Sequence, residues 1–288
     1  MGLIMEHNGP AEGYEAVPLL IPGAAGDTEG NGVAVLRRRS ARRSKRAVLY
    51  VHCLGDAFVP ADLARWYTDR GFHFYAADLR AIGSDEPAAA DGNRAAAELA
   101  ECFACLDAAA THLRAADAIE TLVVSAHAAG ALISALWCHA RRGSRPVDAL
   151  ILASPDLGGG WPWLARVAGR EDSPAGRPPA LLAGARRRLR QGLQIPCPVL
   201  VMCPAGEASQ TGGGSALARG GLAALGALGT LTGRRATTRL GEHVTWLTMD
   251  GGLPGQATAG PAAGQRYLDE IGRWLGAYLS AQIRDQLL

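Results

Sequence analysis

Lysine is almost missing from this chain: Lys45 stands alone beside 28 arginines. Aromatics are sparse at 6%, and the net charge is +2. Phosphate backbones need a concentrated basic face. One short basic stretch, Arg37 to Arg46, does not supply it, so nucleic acid is excluded as the main partner. No apolar run reaches the roughly 18 residues of a membrane span. The start, Met-Gly-Leu-Ile-Met-Glu-His, lacks the basic region and apolar run of a signal peptide, and a cytoplasmic protein is expected. The six cysteines (Cys53, Cys102, Cys105, Cys138, Cys197 and Cys203) sit among apolar neighbours, the setting of small buried hydrophobes. Cys102 and Cys105 form a C-x-x-C with no second pair to complete a zinc or redox cluster, so no metal is expected. Gly212-Gly213-Gly214 lacks the strand-to-helix setting and the lysine of a phosphate loop. It reads as a connection, and no cofactor is expected.

What is present is apolar: 48% of 288 residues, enough for a sizeable core. Alanine supplies 55 residues and glycine 37; with the arginine bias, this points to a GC-rich bacterial genome. Residues 1–13 read as a loose leader and 14–288 as one domain. Tyr14 to Arg39 suggests two strands around a Gly-rich turn. Ala47 to His52 is a short continuous apolar run, typical of a strand covered on both faces. A helix over 61–70 stops at Gly71. Further strands are expected at Phe72–Ala77, Thr121–Ser125, Ala149–Ala153, Pro198–Cys203 and Val244–Met249, with helices over 94–116, from within the stretch Ala126 to Gly130 to about Arg141, and over 262–282. Residues 157–195 are irregular and basic, the place for a small cap. Strands alternating with helices give an α/β fold: a mostly parallel central sheet flanked by helices. Working groups in such sheets sit on loops at the carboxyl ends of strands. Those loops begin here at Cys53, Asp78, Ala126, Ser154, Pro204 and Asp250.

Four stretches carry a resemblance. They are Tyr50-Val51-His52-Cys53-Leu54-Gly55-Asp56, the run from Arg70 to Ser84 with Asp78-Leu79-Arg80-Ala81-Ile82-Gly83, the elbow Ser125-Ala126-His127-Ala128-Ala129-Gly130-Ala131, and Ser154-Pro155. Over residues 14 to 280 the chain resembles the α/β-hydrolases, near the serine aminopeptidase and monoacylglycerol lipase branch. The resemblance implies the α/β-hydrolase fold and a site built from a serine, a histidine and an acid. At the matching positions this chain has other residues. Ala128 stands at the serine position of the G-x-S-x-G elbow, and Pro254 stands where a Gly-Gly-Leu-His-Asp context carries the histidine. Gly229 falls near the place of the acid. No histidine follows His243, and no Asp or Glu occurs from Ala208 to Gly241. One altered residue could be a knockout; three argue that the chain does not use a serine triad.

The oxyanion hole of this fold is a backbone device and needs no particular side chain. By matching position its N–H groups belong to Leu54 and Ala129. His52, Cys53, Ala128, Ser154, Asp156, Trp161 and Trp163 are the expected ligand-binding residues. Cys53 replaces a glycine of the family loop and reads as a packed or pocket-lining thiol, or as a nucleophile if a base is near. His127, matching a family histidine that is not the base, reads as structural. Asp56, a carboxylate just past the end of a strand, is the candidate general acid or base. Asp78 matches a turn-fixing acid, and His243 precedes the last strand, at the wrong end of the sheet. Trp161 and Trp163 either wall an apolar pocket or pack the cap, and Arg186 to Arg190 reads as a solvated helix face.

Three functions compete. In the first, the pocket and hole act on a small, largely apolar carbonyl compound without hydrolysis, as a cofactor-free cyclase, isomerase or lyase of bacterial secondary metabolism. The second is a pseudoenzyme that binds a ligand or partner. The third is an esterase-like hydrolase using Cys53 and Asp56. A homo-oligomer is compatible with all three.

Overall fold

In a computed structural model of the chain, the described residues are 5–6, 9–10, 14–19, 33–38, 43–51, 61–77, 79, 92–153, 193–204, 244–249 and 261–286. Ten strands are present among them. The first two are β1 (Met5–Glu6) and β2 (Gly9–Pro10), then β3 (Glu15–Leu19), β4 (Val33–Arg38), β5 (Arg46–Val51) and β6 (His73–Ala77). After these come β7 (Thr121–His127), β8 (Ala149–Ala153), β9 (Val199–Pro204) and β10 (Val244–Met249). The helices are α1 (Ala61–Asp69), α2 (Gly92–Ala115), α3 (Ala128–Ala140) and α4 (Pro261–Gln286).

Eight strands form one sheet in the order β10-β9-β8-β7-β5-β6-β4-β3. The block from β10 to β6 is parallel, and β4 and β3 join it antiparallel. The expected α/β-hydrolase fold is therefore the one observed. The parallel block needs cover on both faces, and the sequence supplies it by alternation. Along β5, Ala47, Leu49 and Val51 enter the face covered by α2 and α3, while Val48 and Tyr50 enter the face covered by α1 and α4. On α2, Leu99, Cys102, Phe103, Leu106, Ala110 and Leu113 recur at helical spacing and are buried. Helix α1 stops where expected: Gly71 adopts φ +77, and the N–H of Phe72 donates to the carbonyl of Tyr67 at 3.0 Å. This is the left-handed C-terminal closure that glycine accepts without strain.

Two details differ from the sequence reading. The stretch read as a leader contains a two-stranded ladder, with Met5 opposite Pro10 and Glu6 opposite Gly9. A ladder this short needs no apolar run, so the composition carries no sign of it. Strand β7 continues past Ser125 to His127, because β5 and β8 hold it on both sides: Ala126 pairs with Val51, and His127 with Ala153. Among the described residues, no helix is long and apolar enough to cross a membrane.

Candidate functional site

The two edges of the sheet differ in chemistry. The edge where the parallel strands begin is held by polar contacts. Arg114 pairs with Asp148 at 2.6 Å, and the Asp148 carboxylate also accepts from the N–H of Leu122 at 2.7 Å. Lys45 pairs with Glu120 nearby. At the carboxyl edge, β5 ends at Val51, β7 at His127 and β8 at Ala153, on three adjacent strands. The chain positions that follow these ends are the ones the sequence singles out: 52–56 after β5, 128–129 after β7, and 154–156 after β8.

Ala128 is the first residue of α3 and follows β7 with no intervening loop. The strand therefore delivers this position to the edge, and the helix carries the chain away from it. The preceding residue, His127, is the N-cap in an extended conformation (φ −123, ψ 140), and its imidazole does not cap the helix. The first turn of α3 contains no acidic residue either. The first four N–H groups of an α-helix have no acceptor within the helix, and the helix dipole leaves partial positive charge on them. The N–H of Ala129 belongs to this set. An oxygen carrying negative charge is thus the species this end of α3 favours, with or without a serine beside it.

The remaining sequence candidates, His52, Cys53, Leu54, Asp56, Ser154, Asp156, Trp161, Trp163, Gly229 and Pro254, lie outside the described residues, as do Asp78, His243, Arg186 to Arg190 and all but the last three residues of the cap read over 157–195. Among the described residues, no group of three or more metal-ligating side chains occurs. Cys102 and Cys105 are fully buried in α2. Burial, helped by Glu101, pushes the Cys105 thiol up to about 12. That is the behaviour of a packing thiol, not of a reactive one.

One polar feature near this edge escaped the sequence reading. Ser125 lies on β7 just before Ala126, fully inside the protein, and Tyr67 of α1 and Tyr267 of α4 bring their phenols to it. Burial raises both phenols well above the ordinary tyrosine value, while the Ser125 hydroxyl acts in the opposite direction. The available signal was a serine directly after the apolar run Leu122-Val123-Val124.

The sequence model of the family described as serine aminopeptidase, S33, matches residues 42–195. A search of curated proteins finds no significant match. Among solved structures, an esterase from the archaeon Pyrobaculum calidifontis is similar at 17% identity and a TM-score of 0.57, over 91% of this chain and 84% of that one. The monoacylglycerol lipase of Paleococcus ferrophilus is similar at 15% identity and a TM-score of 0.55, over 85% of this chain and 99% of that one. The carboxylesterase EstE1, cloned from a metagenomic library, is similar at 15% identity and a TM-score of 0.54, over 100% of this chain and 91% of that one. At these identities the likeness is one of fold.

Proposed function

This chain belongs to the serine aminopeptidase S33 family of α/β-hydrolases, and from that premise we propose that it binds a small, largely apolar carbonyl compound at the carboxyl edge of its sheet and does not hydrolyse it through a serine triad. The observation that carries this reading is Ala128 at the head of α3. In this fold the strand-to-helix turn presents the nucleophile, and an alanine has no atom that attacks a carbonyl. Pro254 and Gly229, at the positions matched to the family's histidine and acid, support the same reading. Without a base to take a proton and an acid to orient it, an acyl-enzyme cannot form by the usual route.

Backbone donors do not depend on those side chains. An N–H aimed at a carbonyl or enolate oxygen contributes about 3 kcal/mol per donor in acyl-transfer enzymes. The same donors, Ala129 N–H and Leu54 N–H, would stabilise an enolate during an isomerisation or cyclisation. There the pocket itself contributes by holding the reacting atoms together. Binding without turnover is the limiting case of this role.

The names of the solved neighbours favour a hydrolase, with Cys53 and Asp56 as the groups available to it. One experiment separates the two readings. The unmodified protein and an Ala128→Ser variant are each incubated with p-nitrophenyl acetate and p-nitrophenyl butyrate. Background rates from both are expected, because the serine alone restores neither base nor acid. Strong turnover by the unmodified chain, lost in Cys53→Ala, would overturn the proposal and establish the hydrolase.

A further inference from the structure

The eight-stranded sheet has two outer strands, and their chemistry differs. One is β3, Glu15-Ala16-Val17-Pro18-Leu19. It carries an exposed charge at Glu15 and, at Pro18, a residue with no N–H to offer a neighbour. Charge and proline on an edge strand discourage the addition of a further strand. The other is β10, Val244-Thr245-Trp246-Leu247-Thr248-Met249, whose one neighbour among the described residues is β9. This strand has no charge and no proline, and Val244, Thr245, Trp246 and Thr248 are of the types that favour pleated pairing. The outer row of backbone N–H and C=O groups on such a strand is a template for one more. Apolar surface borders the same edge. Leu247 and Trp274 are only partly buried, the Trp274 indole donates to Thr245 Oγ1 at 3.2 Å, and Tyr278 stacks on Trp274 at 6.1 Å.

We propose that the occupant of this edge is β10 of a second copy of the chain, paired antiparallel about a two-fold axis. Self-pairing sets each residue opposite itself or a near neighbour, so a charge in the strand would meet its like. Strand β10 has none to repel. The axis of such a pair stands perpendicular to the sheet, so both copies of α4 lie on one face of the joined sheet. The partly buried Leu247 and Trp274 of each copy are thereby brought toward those of the other. Directly opposed residues point to the same face, and under that condition the two longest overlaps are centred on Trp246 or on Leu247. In the first, Leu247 opposes Thr245 of the other copy and lies diagonal to its Leu247. In the second, Leu247 opposes Leu247. Strand β10 leads into the 250–260 stretch that contains Pro254, so the pairing braces one approach to the carboxyl edge. It holds whether or not the protein hydrolyses anything.

Sedimentation velocity of the full chain over a wide range of concentration is the first test, and the mass of two chains is expected. The variants Leu247→Lys and Leu247→Glu are the second. Side chains at this position meet across the axis in either register, directly or along the diagonal, so each variant alone should run as one chain. Mixed in equal amounts they should return to two, because lysine then faces glutamate. That recovery also shows that both variants fold. Hydrogen exchange on the unmodified protein needs no substitution: the amides of β10 should exchange more slowly as the dimer forms, and those of β3 should not change. A single chain at every concentration would overturn the proposal. So would a dimer that survives both substitutions, a mixture of variants folded by circular dichroism that stays at one chain, or β10 amides whose exchange ignores association.

Discussion

Arg114 Nη2 donates to Asp148 Oδ2 at 2.6 Å, joining the end of α2 to the residue that precedes β8. Asp148 is more than half of an ion pair. Its Oδ2 also accepts from Leu122 N at 2.7 Å, its N–H donates to the Leu122 carbonyl at 2.9 Å, and its carbonyl accepts from the hydroxyl of Tyr278 at 2.8 Å. Arg114 in turn donates to the carbonyl of Ile119 at 3.1 Å. One residue thus fixes the start of β7, the start of β8, the end of α2 and the side of α4.

Asp148→Ala should therefore destabilise the fold by about 2–3 kcal/mol, since the lost bonds involve charged groups and leave Arg114 Nη2 and the Leu122 N–H without this acceptor. Asp148→Asn keeps an acceptor oxygen and should cost less. Urea unfolding checks this: the midpoint should fall for both variants, further for alanine, with the slope unchanged.

Two glycines of α4 should respond in opposite directions. A side chain at Gly264 would meet no atom within 4 Å. Gly264→Ala should stabilise by about 0.5–1 kcal/mol, from helix propensity and a less mobile unfolded chain. At Gly272 a Cβ would sit 3.1 Å from Trp66 Cζ2. Trp66 has little room to move: Tyr67 packs edge-on against it at 5.0 Å, and the Arg70 guanidinium lies 4.0 Å from its ring centre. Gly272→Leu should cost about 1–3 kcal/mol by overpacking. Thermal unfolding of the two variants, measured side by side, should move the midpoint up for the first and down for the second.

The fold was readable because its strands are short apolar runs that alternate with longer stretches fit for helices. Ala149–Ala153 and Val244–Met249 match the observed strands to the residue, and α2 was signalled by Leu99, Phe103, Leu106 and Leu113. The end of β7 was not readable from Ala126 and His127 alone, because the register with Val51 and Ala153 decides it. At the site, the place of Ala128 was legible from the elbow pattern. The hydroxyls of Tyr67, Ser125 and Tyr267 were not: they come from three separate parts of the chain, and no local spacing relates them. The Asp148 contacts escaped for the same reason.

The buried thiols should be chemically silent in the folded protein. Cys102, Cys105, Cys138 and Cys197 are each at most 2% exposed. Burial pushes the Cys197 thiol up to about 12, with Asp148 adding to it, and raises Cys138 well above the ordinary value. Thiolate is the species that reacts with an alkylating agent, so both access and ionisation oppose modification. Iodoacetamide applied to the native protein, followed by peptide mass spectrometry, should leave these four unmodified, and denatured protein should label at all four. Labelling of Cys102 and Cys105 in the native state would revive a redox reading of their C-x-x-C spacing.

Acid should weaken the anchorage of the segment that enters β9, through His139. The N–H of Gln194 donates to His139 Nδ1 at 2.8 Å, which requires a lone pair on that nitrogen. Partial burial holds the imidazole below its ordinary value of 6.5, and the Arg142 guanidinium adds to the effect. In the unfolded chain neither influence acts, so His139 takes up its proton near 6.5 there and only at lower pH in the native state. Between those values the unfolded state binds the extra proton, and linkage makes stability fall as pH falls. The contribution is complete above 6.5 and is lost down to the native value. His139→Asn supplies a carbonyl oxygen close to the place of Nδ1, accepts from Gln194, and does not titrate. Urea midpoints of the two proteins should therefore converge or cross as pH is lowered from 7 toward 5, the histidine protein losing more. Parallel curves over that interval would show that His139 does not govern this acid sensitivity.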